Sequence, residues 1–411
     1  MIKLKGSNSN AIKQQNRALI LNIIKQGKGV SRAELSKMTG LSKGGITPII
    51  NDLLSMGLIE EAGVVHTDSG RRPTLLKLKP SGAYAIVVDW TRKNYTAAIV
   101  DLKGNIVVEE VYSFLHNEVL ENVLNNLKNT IRGFLARPEA SRILGIGVVA
   151  PGPIDIEKGI VLSPANFHGW SNIPIKDILE EEFNLRVKID NNANAYALAE
   201  KNYGRGKEYS KFMHIAVDEG IGAGIYLDGY IYRGNGGFGS EIGHISINID
   251  GPVCECGNNG CLEVYATIPK ILEHINIYTE LGVPSDYLIN IRKKRLIEWN
   301  DIIEGLEKGD EVCIRLMEKE AQYLGNVLIT LINLLEPEAI IMGSKISSAG
   351  KFILEPLKRY VSQRTVTREF QKCHIFISDL PKASLKGGAM LILQDFIDSG
   401  NYEEYYNATL G

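Results

Sequence analysis

The sequence predicts an α/β protein in which an N-terminal winged helix-turn-helix precedes a two-lobed α/β body with an inserted metal loop. Three short helical patterns and a hairpin pattern fill residues 1–80, and buried strands alternate with helices from Gly82 onward. One histidine and three cysteines cluster within residues 244–261. The chain has 411 residues, 44% of them apolar and 23% charged, which suits more than one packed core.

The first two elements are predicted to be helices. Apolar residues recur at roughly helical spacing over residues 10–26, and the glycines at 27 and 29 end that stripe. Ser31 can cap the second helix, because Glu34 follows three residues later and can reach back to the cap. Gly40 ends this short helix, since glycine readily adopts the left-handed backbone found at helix C-termini.

A third helix follows a tight turn at residues 39–41, an arrangement typical of a helix-turn-helix. Ser42 caps this helix and Gly57 ends it. Pro48 is awkward inside it, because proline removes one backbone hydrogen bond unless the helix starts late or kinks. Individual base contacts therefore do not follow from the sequence.

A hairpin wing is predicted after the third helix. Two β-prone runs, at residues 58–65 and 74–78, flank a polar tip that contains Arg71 and Arg72. Three helices and a hairpin could also form a protein-docking module. The order of the elements and the basic tip favour DNA as the partner.

The body shows the alternation of strands and helices that is typical of an α/β fold with a mixed sheet. Strands are expected at residues 84–89, 95–101, 144–149, 187–189, 212–217, 223–227 and 339–342, and helices at residues 119–135 and 193–203. We expect three domains. They are a head at residues 1–80, a first lobe at 81–190 completed by a C-terminal helix at 386–411, and a second lobe at 191–385.

The charge of the chain is unevenly distributed. Residues 1–80 contain 13 Lys and Arg against 5 Asp and Glu, whereas the remaining residues contain 33 against 43. A basic head on an acidic body is consistent with an N-terminal module that binds a polyanion. The sequence shows neither an apolar run long enough to span a membrane nor a signal peptide, so we expect a cytoplasmic location without a membrane partner.

Residues His244, Cys254, Cys256 and Cys261 form the strongest local pattern. One imidazole and three thiolates make a closed tetrahedral set that suits one structural zinc ion per chain, with no open position for chemistry. The alternative is a cluster of reduced cysteines beside an unrelated histidine. Glu241 and Glu263 flank the loop, and carboxylates beside a metal-bound imidazole are suitable partners for vicinal sugar hydroxyls.

Three motifs together resemble the ROK family, whose members are repressors and sugar kinases. The motifs are EIGH at residues 241–244, CECGNNGCLE at 254–263 and APGPID at 150–155. The head, with SRAELSKMTGLS at 31–42 and GRRP at 70–73, resembles the repressor branch, notably xylose repressors of Gram-positive bacteria. The resemblance covers almost the whole chain and implies an actin-like, sugar-kinase-like body.

The resemblance also implies roles for individual residues. It assigns His244, Cys254, Cys256 and Cys261 to a zinc ion. Asn191, Glu241, His244 and Glu263 would hydrogen-bond a sugar, and Gly152 and Asn192 would line the same pocket.

Two departures from the kinase pattern predict that the protein is not an enzyme and has no catalytic residue. Asn192 occupies the position of the family's general-base aspartate, and a carboxamide cannot accept the sugar hydroxyl's proton. Residues 89–93 read DWTRK, where the kinases have the phosphate-binding sequence Asp-x-Gly-Gly-Thr. The alternative is an ATP-dependent sugar kinase with an appended DNA-binding head. A third reading is a scaffold that binds a protein such as a transporter domain.

The predicted function is therefore a sugar-responsive transcriptional repressor. It would bind a palindromic operator as a homodimer or homotetramer, because two-fold DNA sites require two-fold proteins. Xylose and glucose are the first effector candidates, and whether the sugar releases or strengthens DNA binding stays open. The expected DNA contacts are Ser42, Lys43 and Thr47 of the third helix, Arg32 at a phosphate, and Arg71 and Arg72 in the minor groove.

Overall fold

The computed structural model describes residues 9–27, 29–64, 74–162, 169–366 and 372–410. The chain divides into two compact units, Met1–Asn191 with Ser384–Gly411, and Asn192–Ala383. No helix within the described ranges is both long enough and apolar enough to cross a membrane.

The head contains the three predicted helices and the predicted hairpin. Its elements are α1 Ser9–Lys25, β1 Val30–Ser31, α2 Arg32–Thr39, α3 Lys43–Ser55, β2 Ile59–Val64 and β3 Thr74–Leu78. The three strands form an antiparallel sheet in the order β1-β3-β2. The buried apolar residues of these elements include Ile20, Leu21, Ile24, Leu35, Ile46, Ile50, Leu53, Leu58 and Leu76.

Local hydrogen bonds explain where α2 begins and ends. The Glu34 N–H donates to Ser31 Oγ at 3.2 Å, and the Ser31 N–H donates to the Glu34 carboxylate at 2.8 Å, which completes the predicted capping box. Hydrogen bonds to this carboxylate from the Ser31 N–H and the Ser31 hydroxyl lower the pKa of Glu34. Gly40 has a φ of 71°, in the left-handed region that glycine adopts without strain. These short-range contacts set the turn that leads into α3.

The first unit contains a five-stranded mixed sheet. Its strands are β4 Tyr84–Trp90, β5 Asn94–Asp101, β6 Ile106–Ser113, β7 Ile143–Ala150 and β10 Val187–Asn191, in the order β10-β7-β4-β5-β6. Strands β10, β7 and β4 run parallel, and β4, β5 and β6 are antiparallel. The pair β8 Ile154–Asp155 and β9 Ile160–Val161, with the helices α4 Leu120–Leu135 and α5 Ile175–Phe183, completes this part of the chain.

Two C-terminal helices, α13 Ala383–Ser399 and α14 Tyr402–Leu410, are associated with the first unit. Close backbone contact joins α13 to the sheet, because a Cβ at Gly147 would lie 2.1 Å from the Gly388 carbonyl oxygen. The head belongs to the same unit and contacts its later segments. Arg142 donates to the carbonyl oxygens of Met56 and Gly82 at 3.0 Å each, and the Tyr406 hydroxyl donates to Gly82 at 2.6 Å.

The second unit repeats the strand arrangement of the first. Its elements are α6 Asn192–Tyr203, β11 Lys211–Val217, β12 Ile221–Leu227, β13 Tyr230–Tyr232, α7 Glu263–Ala266, α8 Ile268–Glu280, α9 Asp286–Arg292, α10 Trp299–Lys308, α11 Glu311–Leu335, β14 Ala339–Gly343, α12 Lys351–Ser362 and β15 His374–Ile377. The strand order is β13-β12-β11-β14-β15. In both sheets the first three strands of the unit form an antiparallel meander, and the last two strands add in parallel beside the first.

This duplicated α/β architecture confirms the predicted two-lobed, actin-like fold class behind a winged helix-turn-helix. Sequence patterning did not predict β6, because the side chains of this edge strand are mostly exposed and Glu109 and Glu110 interrupt its short apolar run.

Candidate functional site

The four predicted metal ligands lie together in the second unit. The ligand atoms of His244, Cys254, Cys256 and Cys261 all lie within 4.8 Å of one another. Cys254 Sγ is 3.6 Å from His244 Nδ1, and Cys256 Sγ is 3.6 Å from Cys261 Sγ. A tetrahedral ion with metal–sulfur bonds of about 2.3 Å would separate its sulfurs by about 3.8 Å. The cluster therefore fits a single metal ion.

Two glycines allow the chain to turn tightly around this cluster. The Cys254 N–H donates to the Asn258 carbonyl at 2.7 Å, and the Gly257 N–H donates back to the Cys254 carbonyl at 2.9 Å. Gly257 has a φ of 88°. A Cβ at Gly260 would lie 1.8 Å from the Asn248 carbonyl oxygen, so only glycine fits there.

The thiols of the cluster differ in their acidity. A backbone hydrogen bond from Asn258 lowers the pKa of the exposed Cys256 thiol. Burial, together with the neighbouring thiols of Cys256 and Cys254, raises the pKa of Cys261 to about 12. Three thiolates this close would repel one another unless a cation lay between them. A bound metal would therefore displace protons from the cluster.

The two predicted carboxylates lie beside the metal loop. Glu263 is the first residue of α7, and its carboxylate accepts a hydrogen bond from the Ile221 N–H at 2.6 Å. Glu241 directly precedes the short 3-10 turn that ends at His244. Partial desolvation and repulsion from Glu263 raise the pKa of the Glu241 carboxyl, while His244 opposes this shift. The structure thus brings Glu241, His244 and Glu263 together.

The other predicted sugar ligands lie at the ends of elements. In the first unit, Gly152 follows β7, and Asn191 is the last residue of β10, where its N–H donates to the Asp190 carboxylate at 2.8 Å. In the second unit, Asn192 is the first residue of α6 and is exposed.

The turn between β4 and β5, where the sequence resemblance predicts the phosphate loop of a kinase, is closed by the side chain of Thr91. Thr91 Oγ1 accepts hydrogen bonds from the N–H groups of Lys93 at 3.2 Å and Asn94 at 3.1 Å. Trp90 does not lie at the tip of this hairpin. It belongs to β4, is 1% exposed, and its ring contacts Phe114 and Trp170 edge-on.

The predicted DNA contacts on α3 have local hydrogen bonds. Ser42 Oγ accepts from the Gly45 N–H at 3.2 Å and so caps the helix, and Thr47 Oγ1 donates to the Lys43 carbonyl at 2.9 Å. The Lys43 side chain is exposed. The helix continues through Pro48, which is also exposed.

Other predicted contacts belong to α2 and the wing. Arg32 is the first residue of α2, and its guanidinium lies 3.5 Å from Asn51 Oδ1 and 3.4 Å from the Glu61 carboxylate. Arg71 and Arg72 lie outside the described residues.

Sequence reasoning missed a buried arginine in α1. The Arg17 side chain is 7% exposed and donates to Asp52 of α3 at 2.8 Å and to Glu403 of α14 at 3.0 Å. Arg17 precedes the buried Ile20 and Leu21 by three and four residues. A charge on the apolar face of a helix was the available signal, although the sequence could not identify its partners.

The family of the chain follows from comparison with known proteins. Residues 85–395 match the model of the ROK family. The chain belongs to the ROK family. Residues 15–60 separately match a winged helix-turn-helix DNA-binding model. A ROK domain joined to such a head is the organisation of a transcriptional regulator, as the sequence motifs predicted.

Two ROK regulators are similar to this chain over nearly its whole length. A xylose repressor of Caldicellulosiruptor bescii is 33% identical over 398 residues, which cover 96% of this chain and 99% of the repressor. A crystal structure described as a ROK family transcriptional regulator, homologue of E. coli Mlc, has a TM-score of 0.81 and 28% identity, covering 96% of this chain and 99% of the other.

A ROK kinase is similar to a shorter part of this chain. A ROK family glucokinase from Streptomyces griseus, solved with glucose and AMPPNP, has a TM-score of 0.67 and 27% identity. Its whole length corresponds to 76% of this chain. The ROK fold of this protein therefore occurs in both regulators and enzymes.

Proposed function

We propose that this protein is a transcriptional repressor that binds operator DNA through its winged helix-turn-helix and binds a small sugar through its ROK domain. The observation that carries the proposal is the complete helix-turn-helix on a ROK body, in which one face of α3 packs into the core and the other face is exposed. Similarity to a xylose repressor over 96% of the chain supports xylose as the first effector to test, with glucose second.

The metal ion in this proposal is one structural zinc per chain, held by His244, Cys254, Cys256 and Cys261. Four protein ligands complete a tetrahedral shell, so the ion has no open position for water and would order the loop without chemistry. His244 Nδ1 is the ring nitrogen beside Cys254 Sγ. Coordination through Nδ1 leaves Nε2 to hydrogen-bond a ligand.

The proposed sugar contacts are Gly152, Asn191, Asn192, Glu241, His244 and Glu263. Carboxylates accept hydrogen bonds from vicinal hydroxyls, and carboxamides both donate and accept, which matches the alternating polarity of a sugar edge. The hydrogen bond from the Ile221 N–H to Glu263 supports this assignment, because a donor on the strand β12 holds the carboxylate in one orientation.

The second candidate function is a sugar kinase, which the similarity to the glucokinase favours. Two features of this chain oppose it. Asn192 offers a carboxamide where a general base is needed. The Thr91 hydroxyl already accepts from the N–H groups of Lys93 and Asn94, so these donors are not presented to a phosphate. We therefore propose that the body is a sensor and not an enzyme.

For DNA binding we propose that Lys43 and the N-terminus of α3, which Ser42 caps, face phosphates. The wing residues Arg71 and Arg72 would enter the adjacent minor groove. Thr47 lies on the same exposed surface. The operator would be palindromic, read by a homodimer or homotetramer. The functional domains would be residues 1–80, 81–190 with 386–411, and 191–385.

The test combines a thermal shift with a DNA mobility assay on the full chain. A sugar at 100 times its dissociation constant should stabilise the protein by about 2.7 kcal/mol. Duplexes selected from a random pool by the protein should shift in mobility, and the effective sugar should change that shift. Failure of every duplex and every sugar to bind would refute the proposal.

A further inference from the structure

We propose that Asn51 of α3 reads an adenine base in the major groove and that Arg32 holds the Asn51 carboxamide in the required orientation. The inference rests on the proposed function, because it places α3 against operator DNA. It begins with the side chains that α3 exposes. These are Lys43, Gly44, Gly45, Thr47, Pro48, Asn51 and Ser55.

Most of these residues lack the paired donor and acceptor that read the edge of an adenine. The two glycines and Pro48 have no polar side-chain atom. The Thr47 hydroxyl donates to the Lys43 carbonyl at 2.9 Å, and the Ser55 hydroxyl donates to the Asp52 carbonyl at 2.8 Å. Both hydroxyl protons are therefore already used inside the helix. The Lys43 ammonium only donates, so it suits a phosphate as well as a base.

Asn51 is the one exposed α3 residue that offers a donor and an acceptor in a single plane. The major-groove edge of adenine presents the N6 amino donor beside the N7 acceptor, which a carboxamide pairs with bidentately. Guanine presents two acceptors at the same edge. The chemistry of Asn51 therefore selects adenine.

The surface around Asn51 permits a close approach. Gly44 and Pro48 precede Asn51 by seven and three residues, which places all three on one face of the helix. Neither neighbour carries a long or charged side chain. Because these side chains are small, the helix axis can approach the floor of the groove closely. A close approach is needed because the asparagine side chain is short.

Arg32 constrains the Asn51 amide from outside the helix. Its guanidinium lies 3.5 Å from Asn51 Oδ1 through one nitrogen and 3.4 Å from the Glu61 carboxylate of β2 through another. A donor directed at Oδ1 occupies one of its lone pairs and leaves the other for the adenine amino group. The Nδ2 protons then point away from Arg32, where N7 can accept one. Long, exposed contacts of this kind contribute little to the stability of the fold.

The main experiment uses the full chain and the duplex that it selects from random sequences. Each adenine of one half-site is replaced in turn by 7-deazaadenine, which lacks the N7 acceptor. We expect one position to weaken wild-type binding by about 2- to 13-fold, the range of the one hydrogen bond of the pair that is lost when N7 is removed. Asn51→Ala should bind the natural and substituted duplexes equally at that position, with an unchanged salt slope. Ser55→Ala, on the same helix, is the matched control and should retain the wild-type pattern.

Arg32→Ala separates the two parts of the proposal. If Arg32 positions Asn51, the variant should lose discrimination at the same adenine while the log–log salt slope stays within error of wild type. A sequence-independent loss with a slope smaller by about 0.9 would make Arg32 a phosphate contact and overturn its positioning role.

Other outcomes address Asn51 itself. Uniform weakening of all duplexes by Asn51→Ala, or unchanged discrimination, would overturn the base contact even though the protein binds an operator. If the wild-type chain selects no sequence at all, the proposed function fails with it. The 7-deazaadenine series on the wild-type protein tests the adenine contact without any variant that could misfold.

Discussion

Arg17 of α1 donates a hydrogen bond to Glu403 of α14 at 3.0 Å, although 386 residues separate them in sequence. The same guanidinium donates to Asp52 of α3 at 2.8 Å. One side chain therefore links the helix that carries Asn51 to the C-terminal helix of the ROK body. Because Arg17 is almost completely buried and its guanidinium is always charged, these two carboxylates compensate the cost of burying that charge.

Replacement of Arg17 by alanine should destabilise the protein. We expect a loss of about 1–3 kcal/mol in the free energy of unfolding, because the charge-assisted hydrogen bonds to both carboxylates disappear. Glu403 then loses its guanidinium partner, and Asp52 keeps only Lys13, at 3.1 Å. Glu403→Gln should cost less, because the link to Asp52 survives. Urea unfolding measures both changes. Arg315→Ala, which breaks an exposed pair with Glu311, is the control and should change stability by less than about 0.5 kcal/mol. Equal stabilities of wild type and Arg17→Ala would contradict the assignment.

Asp301 should contribute to stability in a pH-dependent way. Hydrogen bonds from Arg295, at 2.7 and 2.8 Å, are the main cause that holds the pKa of this carboxyl below its usual 3.8. The folded state therefore binds the proton less readily than the unfolded state. The stabilisation is present above about pH 5 and is lost as the pH falls through the folded pKa.

The measurement is urea unfolding between pH 3 and pH 7. Asp301→Asn should be less stable than wild type at pH 7, and the difference should shrink as the medium becomes acidic. Parallel stability curves for the two proteins would show that Asp301 does not account for the acid sensitivity.

Cys256→Ser should remove the metal and the response to sugar together. The loop would lose one of four ligands, and with it the support for Glu241, His244 and Glu263. Metal analysis should give about one zinc per wild-type chain and far less in the variant. Cys373→Ser, which is outside the cluster, should retain the metal. A variant that lost zinc but bound sugar normally would show that the ion does not organise the pocket.

Arg71→Ala combined with Arg72→Ala should weaken operator binding and flatten its salt dependence. Each lost phosphate contact should lower the log–log slope by roughly 0.9, because fewer counterions are released. Sugar affinity should stay at the wild-type level. Fluorescence anisotropy at several salt concentrations measures the slope, and an unchanged slope would show that the wing does not touch phosphates.

Asn192→Asp should not create an effective kinase. A general base supplies about 10²- to 10⁴-fold, whereas phosphoryl transfer depends mainly on positioning and neutralising the phosphates. The Thr91 hydroxyl keeps the neighbouring N–H groups engaged in both proteins. A coupled ADP assay with xylose and glucose, together with calorimetry of Mg-ATP binding, provides the test. Tight nucleotide binding with sugar-dependent ADP release would favour the kinase alternative.

The sequence by itself determined the features that depend on neighbouring residues. The caps at Ser31 and Ser42 and the turn at Gly40 involve hydrogen bonds that span at most four residues, so their signals are legible in the chain. The metal ligands Cys254 to Cys261 lie in one loop, and their spacing alone indicates a common site. Buried strands were likewise predictable, because their apolar runs are continuous.

Only the tertiary structure decided which distant residues meet. The partnership of Arg17 with Glu403, the edge position of β6 and the burial of Trp90 depend on packing between segments far apart in sequence. A residue pattern records whether a side chain is polar or apolar, but it does not record which element will pack against it. Long-range contacts form only when several elements are ordered together, so their partners are a property of the folded chain.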